Sequence, residues 1–346
     1  MKLHKSTDQS TIETDPKRIE LTNRSSTVEV LLATYNGERF LRQQIDSILS
    51  QSYENLRILA RDDGSSDSTM TILSEYEQRF PNRFRIIPKS TPGRGAKENF
   101  LQLMKVSTAD YVCFSDQDDV WLADKVNRTM LAMAVLESHR GITTPLLVFT
   151  DLRVVDDALK ILHKSFWQQS GTKPEHIHHL NLLLGHNVVT GCTMLINRSL
   201  LDMALRMPQE ARMHDSWIAL LACSFGAAKI VPEKTVLYRQ HDQNVIGTDE
   251  HSNSPRELMS RFLQREPRMV QWRSNERAVE ALLRLHGEAL TPKQRQTLKA
   301  YLLCGRSENS IVRITTLIQY RFFRSGFFRN ITTFIDLWRG KMNQPS

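Results

Sequence analysis

A chain of 346 residues with 40% hydrophobic and 24% charged residues has room for one large folded unit, or one unit plus an appendage. Four scattered cysteines exclude a disulfide frame or a zinc site, and the lack of any run of ~18 apolar residues excludes a helix spanning a membrane. The net charge of +8 is uneven: from Ser254 to Ser346 there are 17 Lys plus Arg against 7 Asp plus Glu, leaving −2 for residues 1–253. Despite a pI of about 9.4, no module with interleaved basic and aromatic residues is recognisable, which argues against nucleic acid.

Residues 1–26 are polar and read as a mobile extension. They lack the apolar core of a signal peptide, so a cytoplasmic protein is expected, and Cys113, Cys192, Cys223 and Cys304 read as reduced thiols. Val28 to Ala33 is the first strand. It stops at Thr34-Tyr35-Asn36-Gly37, a turn suited to starting a helix from about Glu38 to Ser50. Leu56 to Ala60 is the second strand and runs into Arg61-Asp62-Asp63-Gly64-Ser65-Ser66-Asp67. A helix to about Phe80, a short strand Phe84 to Ile87, a Pro-Gly loop and a helix from near Ala96 follow.

The next strand, Tyr111-Val112-Cys113-Phe114, leads straight into Ser115-Asp116-Gln117-Asp118-Asp119-Val120-Trp121. A buried strand that ends in carboxylates sets them at the carboxyl edge of the sheet, where open α/β sheets bind ligands. Three close negative charges repel unless a cation sits among them, and a hard divalent ion with oxygen ligands suits them. The same residues would also serve as a solvated acidic loop, or Asp118 as the cap of the next helix. The β-α-β order predicts a mainly parallel sheet with right-handed crossovers. Neither G-x-G-x-x-G nor a Walker sequence is present, so metal and basic side chains are left to hold any phosphates.

A helix from about Asp124 to Glu137 and a strand Leu146 to Phe149, ending at Thr150-Asp151, come next. His176, His178 and His179 lie in a polar stretch that reads as a surface loop or helix end. Gly185 to Ile196 reads as a strand with glycine at a close approach. His214-Asp215-Ser216-Trp217 opens an apolar helix, with Asp215 either its N-cap or a catalytic carboxylate. Two short strands, Ala228 to Val231 and Thr235 to Arg239, end in Gln240-His241-Asp242-Gln243-Asn244, where His241 is either a surface residue or a ligand. From about Pro255 the pattern is helical.

Together these motifs resemble glycosyltransferase family 2, in its bacterial rhamnosyltransferase-like branch. The carriers are Thr34 to Gly37, Asp62 to Asp67 and Asp116 to Trp121, supported by Asn187 to Arg198, His214 to Trp217 and Tyr238 to Asn244. The resemblance covers roughly residues 27–250. It implies a GT-A fold, with a mostly parallel central sheet flanked by helices and a helical C-terminal region, 254–346, outside it. It further implies an inverting enzyme dependent on Mn²⁺ or Mg²⁺. Such an enzyme takes a sugar from a nucleotide-sugar donor to a polyprenyl-linked saccharide or polysaccharide. Tyr35, Glu38, Asp63 and Asp116 would then line the nucleotide, and Asp118 and His241 would take the metal. Arg94, Lys97 and Arg239 would meet the diphosphate. Asn187, Thr190, Gly191 and Trp217 would shape the sugar or acceptor pocket, and Asp215 would be the general base. Ser216 stands where that branch often has an aromatic, so this chain's pocket is expected to differ. A donor-binding subunit without turnover is the competing expectation, which the carboxylates Asp116, Asp118 and Asp215 oppose.

From Ser310 to Arg339, Ile311, Ile314, Leu317, Ile318, Phe322, Phe323 and Trp338 alternate with arginines. On one helical wheel Arg306, Arg313, Arg321 and Arg324 share a side, opposite an apolar remainder. This predicts either a helix packed on the main unit with its arginines in water, or a helix lying on an anionic membrane at the inner leaflet.

Overall fold

The computed structural model describes residues 26–88, 94–241, 266–325 and 327–339. Most of the expected N-terminal extension, the centre of the Pro-Gly loop, residues 242–265 and Gly326, an expected helix breaker, lie outside them.

The described residues form one nine-stranded sheet. In chain order the strands are β1 (Val28–Thr34), β2 (Leu56–Asp62), β3 (Phe84–Ile86), β4 (Tyr111–Ser115), β5 (Val120–Trp121), β6 (Leu146–Val155), β7 (Ile161–His163), β8 (Met194–Asn197) and β9 (Ala227–Arg239). Their order across the sheet is β3-β2-β1-β4-β8-β6-β9-β5, with β7 beside β6. The first four are parallel neighbours, as the β-α-β pattern predicts. β8 enters antiparallel to both β4 and β6, so the second half of the sheet is mixed.

Alternation in β1 explains why both faces are covered. Val28, Val30 and Leu32 join one core with Ile58, Cys113 and Val148, while Leu31 and Ala33 join the other with Phe114, Phe149 and Trp217. Each such fully buried Leu, Val or Phe side chain contributes about 1.5–3 kcal/mol by leaving water. Buried Glu29 breaks the alternation, and it is satisfied by the Ser107 hydroxyl at 2.6 Å and the Thr108 N–H at 3.1 Å.

Several elements differ from expectation. Gly185 to Ile196 is not one strand but the end of a helix (Leu180–Gly185), a loop, a 3₁₀ turn (Gly191–Thr193) and β8. The Asn187 side chain closes that loop on itself: its amide donates to the Val189 carbonyl at 2.9 Å and its oxygen accepts the Val189 N–H at 3.1 Å. The two short strands expected from Ala228 to Arg239 are one, β9, because its pairing with β6 crosses an irregularity instead of ending there. The histidine stretch is a short 3₁₀ turn, Pro174–His178.

The C-terminal helices are α1 (Glu266–His286), α2 (Pro292–Arg306), α3 (Ser310–Tyr320) and α4 (Phe327–Arg339). Leu298, Tyr301, Leu317, Phe322 and Leu337 are at most 1% exposed and belong to the core that holds Leu184, Val188 and Trp217. Arg321 ends α3 in the left-handed conformation, φ 55°, and the Phe322 N–H turns back to the Leu317 carbonyl at 3.2 Å. Gly185 allows this turn to dock, since a β-carbon there would lie 2.7 Å from the Phe323 carbonyl oxygen. The expected arginine face does not form, because breaks after α2 and at Arg321 put the four arginines on different helical phases. Arg313 is 3% exposed and donates from Nε to the Leu337 carbonyl at 2.6 Å, bracing α3 against α4. Arg306 pairs with Glu280 at 2.6 Å. No helix among the described residues is long and apolar enough to cross a membrane.

Candidate active site

The parallel registers of β1, β2 and β4 bring their carboxyl ends together, Thr34 opposite Asp62 and Leu32 opposite Ser115. The turns after these strands therefore share one edge of the sheet. Asp62 is the carboxylate that builds its turn. Its Oδ2 accepts the N–H groups of Gly64 at 2.8 Å and Ser65 at 2.7 Å, and its Oδ1 accepts the Thr34 hydroxyl at 3.0 Å. Asp63, one residue on, turns the other way. It is 8% exposed, lies 3.6 Å from the Arg61 guanidinium and accepts the Gly95 N–H at 2.8 Å. Arg94 sits on that same exposed loop.

Tyr35 leaves its ring 58% exposed at the edge. Glu38 is locked into the neighbouring turn: it accepts the Ser68 N–H at 2.9 Å while its own N–H goes to Asp67 at 3.1 Å. The Tyr35 backbone is held by Gln117, a residue between the two acidic positions that sequence reasoning missed. The Gln117 amide accepts the Tyr35 N–H at 2.8 Å and donates to the Tyr35 carbonyl at 2.8 Å. Gly37 was its signal, since any β-carbon at Gly37 would strike the Gln117 side chain.

β5 pairs with β9, Val120 opposite Leu237, and so folds the end of β9 back over the acidic turn. His241 Nε2 thereby reaches Asp118 Oδ2 at 2.9 Å. The Arg239 backbone N–H donates to Asp119 Oδ1 at 3.2 Å, and its guanidinium donates to the Asp118 carbonyl at 2.8 Å and Gln43 Oε1 at 2.6 Å. The same guanidinium lies 4.2 Å from the Phe40 ring centre. Expected as a diphosphate contact, Arg239 is instead 1% exposed and spent on the architecture of the acidic turn. Lys97 is likewise engaged, its amine donating to the carbonyls of Gln209 and, at 2.9 Å, Ala211.

Asp215 is in the first turn, the second residue, of the helix His214–Phe225, and its charge acts on Asp116. Burial pushes its carboxyl up to about 6, against the opposing pull of Arg212. Burial, then the charges of Asp118 and Asp215, push the Asp116 carboxyl up to about 7. The charges of Asp118 and Asp215 are thus near enough to Asp116 to oppose its ionisation. His214 is wedged between Phe100 and Phe114, with ring centres 4.1 and 4.8 Å away, and burial lowers it to about 3, so it is neutral. Gly191 lies against the His214 ring, with partly exposed Thr190 beside it. Trp217, expected in the open pocket, is 1% exposed: the apolar helix turns it inward to the core shared with the C-terminal helices.

The donor chemistry fits a hard divalent cation. A cation would relieve the negative charge that Asp118 and Asp215 place on Asp116, and Asp116 and Asp118 offer oxygens with His241 alongside. Asp116 also approaches Asp119 and Cys192, with ligand atoms within 4.8 Å of one another. Burial and the Asp119 charge push the Cys192 thiol well up, so it stays protonated and is a poor ligand for such an ion.

Sequence and fold comparisons agree with this layout. The family model "Glycosyl transferase family 2" matches residues 29–202, just over half of the chain, and the chain belongs to that family. It is similar to the dTDP-rhamnosyl transferase RfbG of Shigella flexneri, 28% identical over 231 residues, 63% of this chain and 74% of that protein. It is also similar to the glycosyltransferase EpsE of Bacillus subtilis, 33% identical over 135 residues, 38% of this chain and 47% of that protein. Among solved structures, TarS residues 1–349 of S. aureus superimposes with a TM-score of 0.54 at 13% identity, covering 90% of this chain and 89% of that one. The GT-A-like architecture, a central sheet flanked by helices with helices at the C-terminal end, is therefore shared.

Proposed function

We propose that this glycosyltransferase is an inverting, metal-dependent enzyme that moves a sugar from a nucleotide-diphosphate donor to a lipid-linked or polysaccharide acceptor in cell-surface glycan synthesis. The carrying observation is the convergence of Asp116, Asp118 and Asp215 at one sheet edge, with Asp215 held up to about 6. dTDP-rhamnose is the first donor to test, because RfbG carries that specificity in its name.

In this reading Tyr35, Glu38 and Asp63 bind the nucleoside and Asp116 its ribose-diphosphate junction. Asp118 and His241 would hold the divalent ion, which when bound neutralises charge on the departing diphosphate. Asp215 takes the proton from the acceptor hydroxyl. The freed oxygen attacks the anomeric carbon opposite the leaving group, and the carbon–oxygen bond to the diphosphate breaks. A value near 6 leaves Asp215 ionised yet basic at neutral pH. The leaving diphosphate needs no acid carboxylate, unlike the aglycone of a glycosidase.

The proposed location is the inner face of the cytoplasmic membrane. Ile311, Ile318 and Trp338 are 63%, 51% and 63% exposed on the C-terminal helices, amid that region's positive charge. The function is tested by incubating the protein with a panel of nucleotide sugars and Mn²⁺, and following nucleoside diphosphate release with and without lipid-linked saccharide. Release from none of them would leave the subunit without turnover as the better reading.

A further inference from the structure

Asp215 stands in the first turn of its helix, and no side chain caps that turn: Met213, at the N-cap position, makes no side-chain hydrogen bond to it. The Ser216 hydroxyl donates to the Met213 carbonyl at 2.9 Å, which closes the turn on itself without tying it to the rest of the molecule. Beyond the burial of Trp217, the turn therefore takes its place from whatever holds the residues before it.

Those residues are held by another helix, Ala96–Val106. The Lys97 amine donates to the Gln209 carbonyl and, at 2.9 Å, to the Ala211 carbonyl, six and four residues before Asp215. One turn further along that helix, Phe100 packs against His214, with ring centres 4.1 Å apart. Ala211 is buried in the core that also holds Phe100 and Trp217. The Ser274 hydroxyl of α1 adds a bond to the Glu210 carbonyl at 3.2 Å. The helix starts after Gly95, whose N–H goes to Asp63, so the proposed nucleoside turn and the loop before Asp215 share one rigid element.

We propose that Lys97 is a positioning residue for Asp215, fixing the loop from which the base-bearing turn springs. This role rests on Asp215 being the base of the proposed function. A lysine loses rotamer freedom when its stem is held in one geometry, and charge-assisted bonds to two main-chain carbonyls offset that loss. Both carbonyls lie in a single loop, so the amine acts on the path of that loop as a whole. A base must meet the acceptor hydroxyl within hydrogen-bond reach, and a shift of about 1 Å costs on the order of 10²-fold in rate. Lys97 is therefore expected to act on turnover and not on donor affinity.

The test compares wild type, Lys97→Met, Lys97→Arg, Asp215→Asn and the double variant Lys97→Met/Asp215→Asn by steady-state kinetics with Mn²⁺ and a lipid-linked saccharide. The donor is the nucleotide sugar from the panel above that gives the fastest nucleoside diphosphate release. Lys97 is partly exposed, so the variants are expected to fold, with thermal melts as the check; should Lys97→Met melt early, Lys97→Gln takes its place. Lys97→Met should lower kcat by about 10–10²-fold while the donor KM stays within about twofold. Lys97→Arg, which still donates N–H groups to both carbonyls, should recover most of the rate. In the Asp215→Asn background the same Lys97→Met change should alter kcat by less than about twofold, because no base is left to position. Wild-type kcat in Lys97→Met overturns the proposal, as does a loss that is undiminished in the Asp215→Asn background. A raised donor KM at unchanged kcat overturns it too, and returns Lys97 to the donor's diphosphate. If instead Asp215→Asn turns over like wild type, or no nucleotide sugar is used, the base reading fails and this role of Lys97 falls with it.

Discussion

His241 Nε2 lies 2.9 Å from Asp118 Oδ2, joining residues 123 positions apart in the chain. The contact exists because the two-residue strand β5 pairs with the end of β9, and Phe40 packs beside the imidazole with ring centres 5.2 Å apart. Two residue types able to coordinate a divalent ion are thus brought together. Asp118→Asn keeps the shape and removes the charge. The expected outcome is a folded protein that loses Mn²⁺-dependent donor binding in a thermal-shift titration and nearly all transfer. Unchanged donor binding would remove Asp118 from the metal site.

Asp215 carries a prediction about pH. The base works ionised, so turnover should fall as pH drops through about 6 and level off above it. Asp215→Asn should lower kcat by about 10²–10⁴-fold while donor affinity stays within a few-fold. A collapse of donor affinity instead would make Asp215 a donor-side or structural residue.

The same carboxyl carries a prediction about stability. Its value is raised from 3.8 to about 6, so its favourable contribution is full below pH 3.8 and is lost as pH rises through 6. At neutral pH the ionised group therefore strains the fold. Asp215→Asn should raise Tm above pH 7, by an amount on the order of 1–3 kcal/mol in stability, and the gain should vanish near pH 4. Thermal melts across pH check this. A variant less stable than wild type at neutral pH would mean that the carboxylate's helix N-terminal position outweighs its burial.

Gln117 is expected to position the nucleoside pocket without touching the reacting atoms. Gln117→Ala removes two hydrogen bonds to the Tyr35 backbone at an exposed site, so the cost in stability should be about 1 kcal/mol or less. The donor KM should rise while the pH profile keeps its shape. Gly37→Ala, which pushes the same amide aside, should reproduce the KM effect. If neither substitution moves KM, the Tyr35 turn is not part of the donor pocket.

How much of this was legible in the sequence follows from which interactions are local. The three acidic or turn motifs each follow an apolar run, so local pattern alone sets them at strand ends, and parallel pairing carries them to one edge. The four-part form of Gly185 to Ile196 was not legible. Its residues are apolar enough for a strand, but Gly185 serves a long-range contact with Phe323 and Asn187 closes a loop. Arg239 and Lys97 read as free cations because sequence cannot display the carbonyls that occupy them. Trp217 read as pocket because sequence cannot show that its ring is buried in the same core that the C-terminal helices join.

That packing revises what can be done to the C-terminal region. Truncation after Asn309 would remove Leu317, Phe322 and Leu337 from the core, at about 2–5 kcal/mol for each large side chain lost. The expected result is an unfolded or aggregated protein, so membrane binding is better tested by Ile318→Ser with Trp338→Ser on the exposed face. That variant should melt like wild type and lose recovery with anionic liposomes in co-sedimentation. Equal recovery would leave these helices a packing role alone.

The central claim is that a carboxylate–imidazole pair, Asp118 and His241, holding a divalent ion and a separate carboxylate base, Asp215, together perform an inverting transfer. Proton NMR of the reaction with dTDP-rhamnose, Mg²⁺ and a lipid-linked saccharide tests it most directly, because the anomeric signal reports both turnover and configuration. The account predicts a product of configuration opposite to the donor, formed by wild type, abolished by EDTA and by Asp118→Asn, and slowed by Asp215→Asn. A product retaining the donor configuration, or one formed undiminished in EDTA, would contradict it.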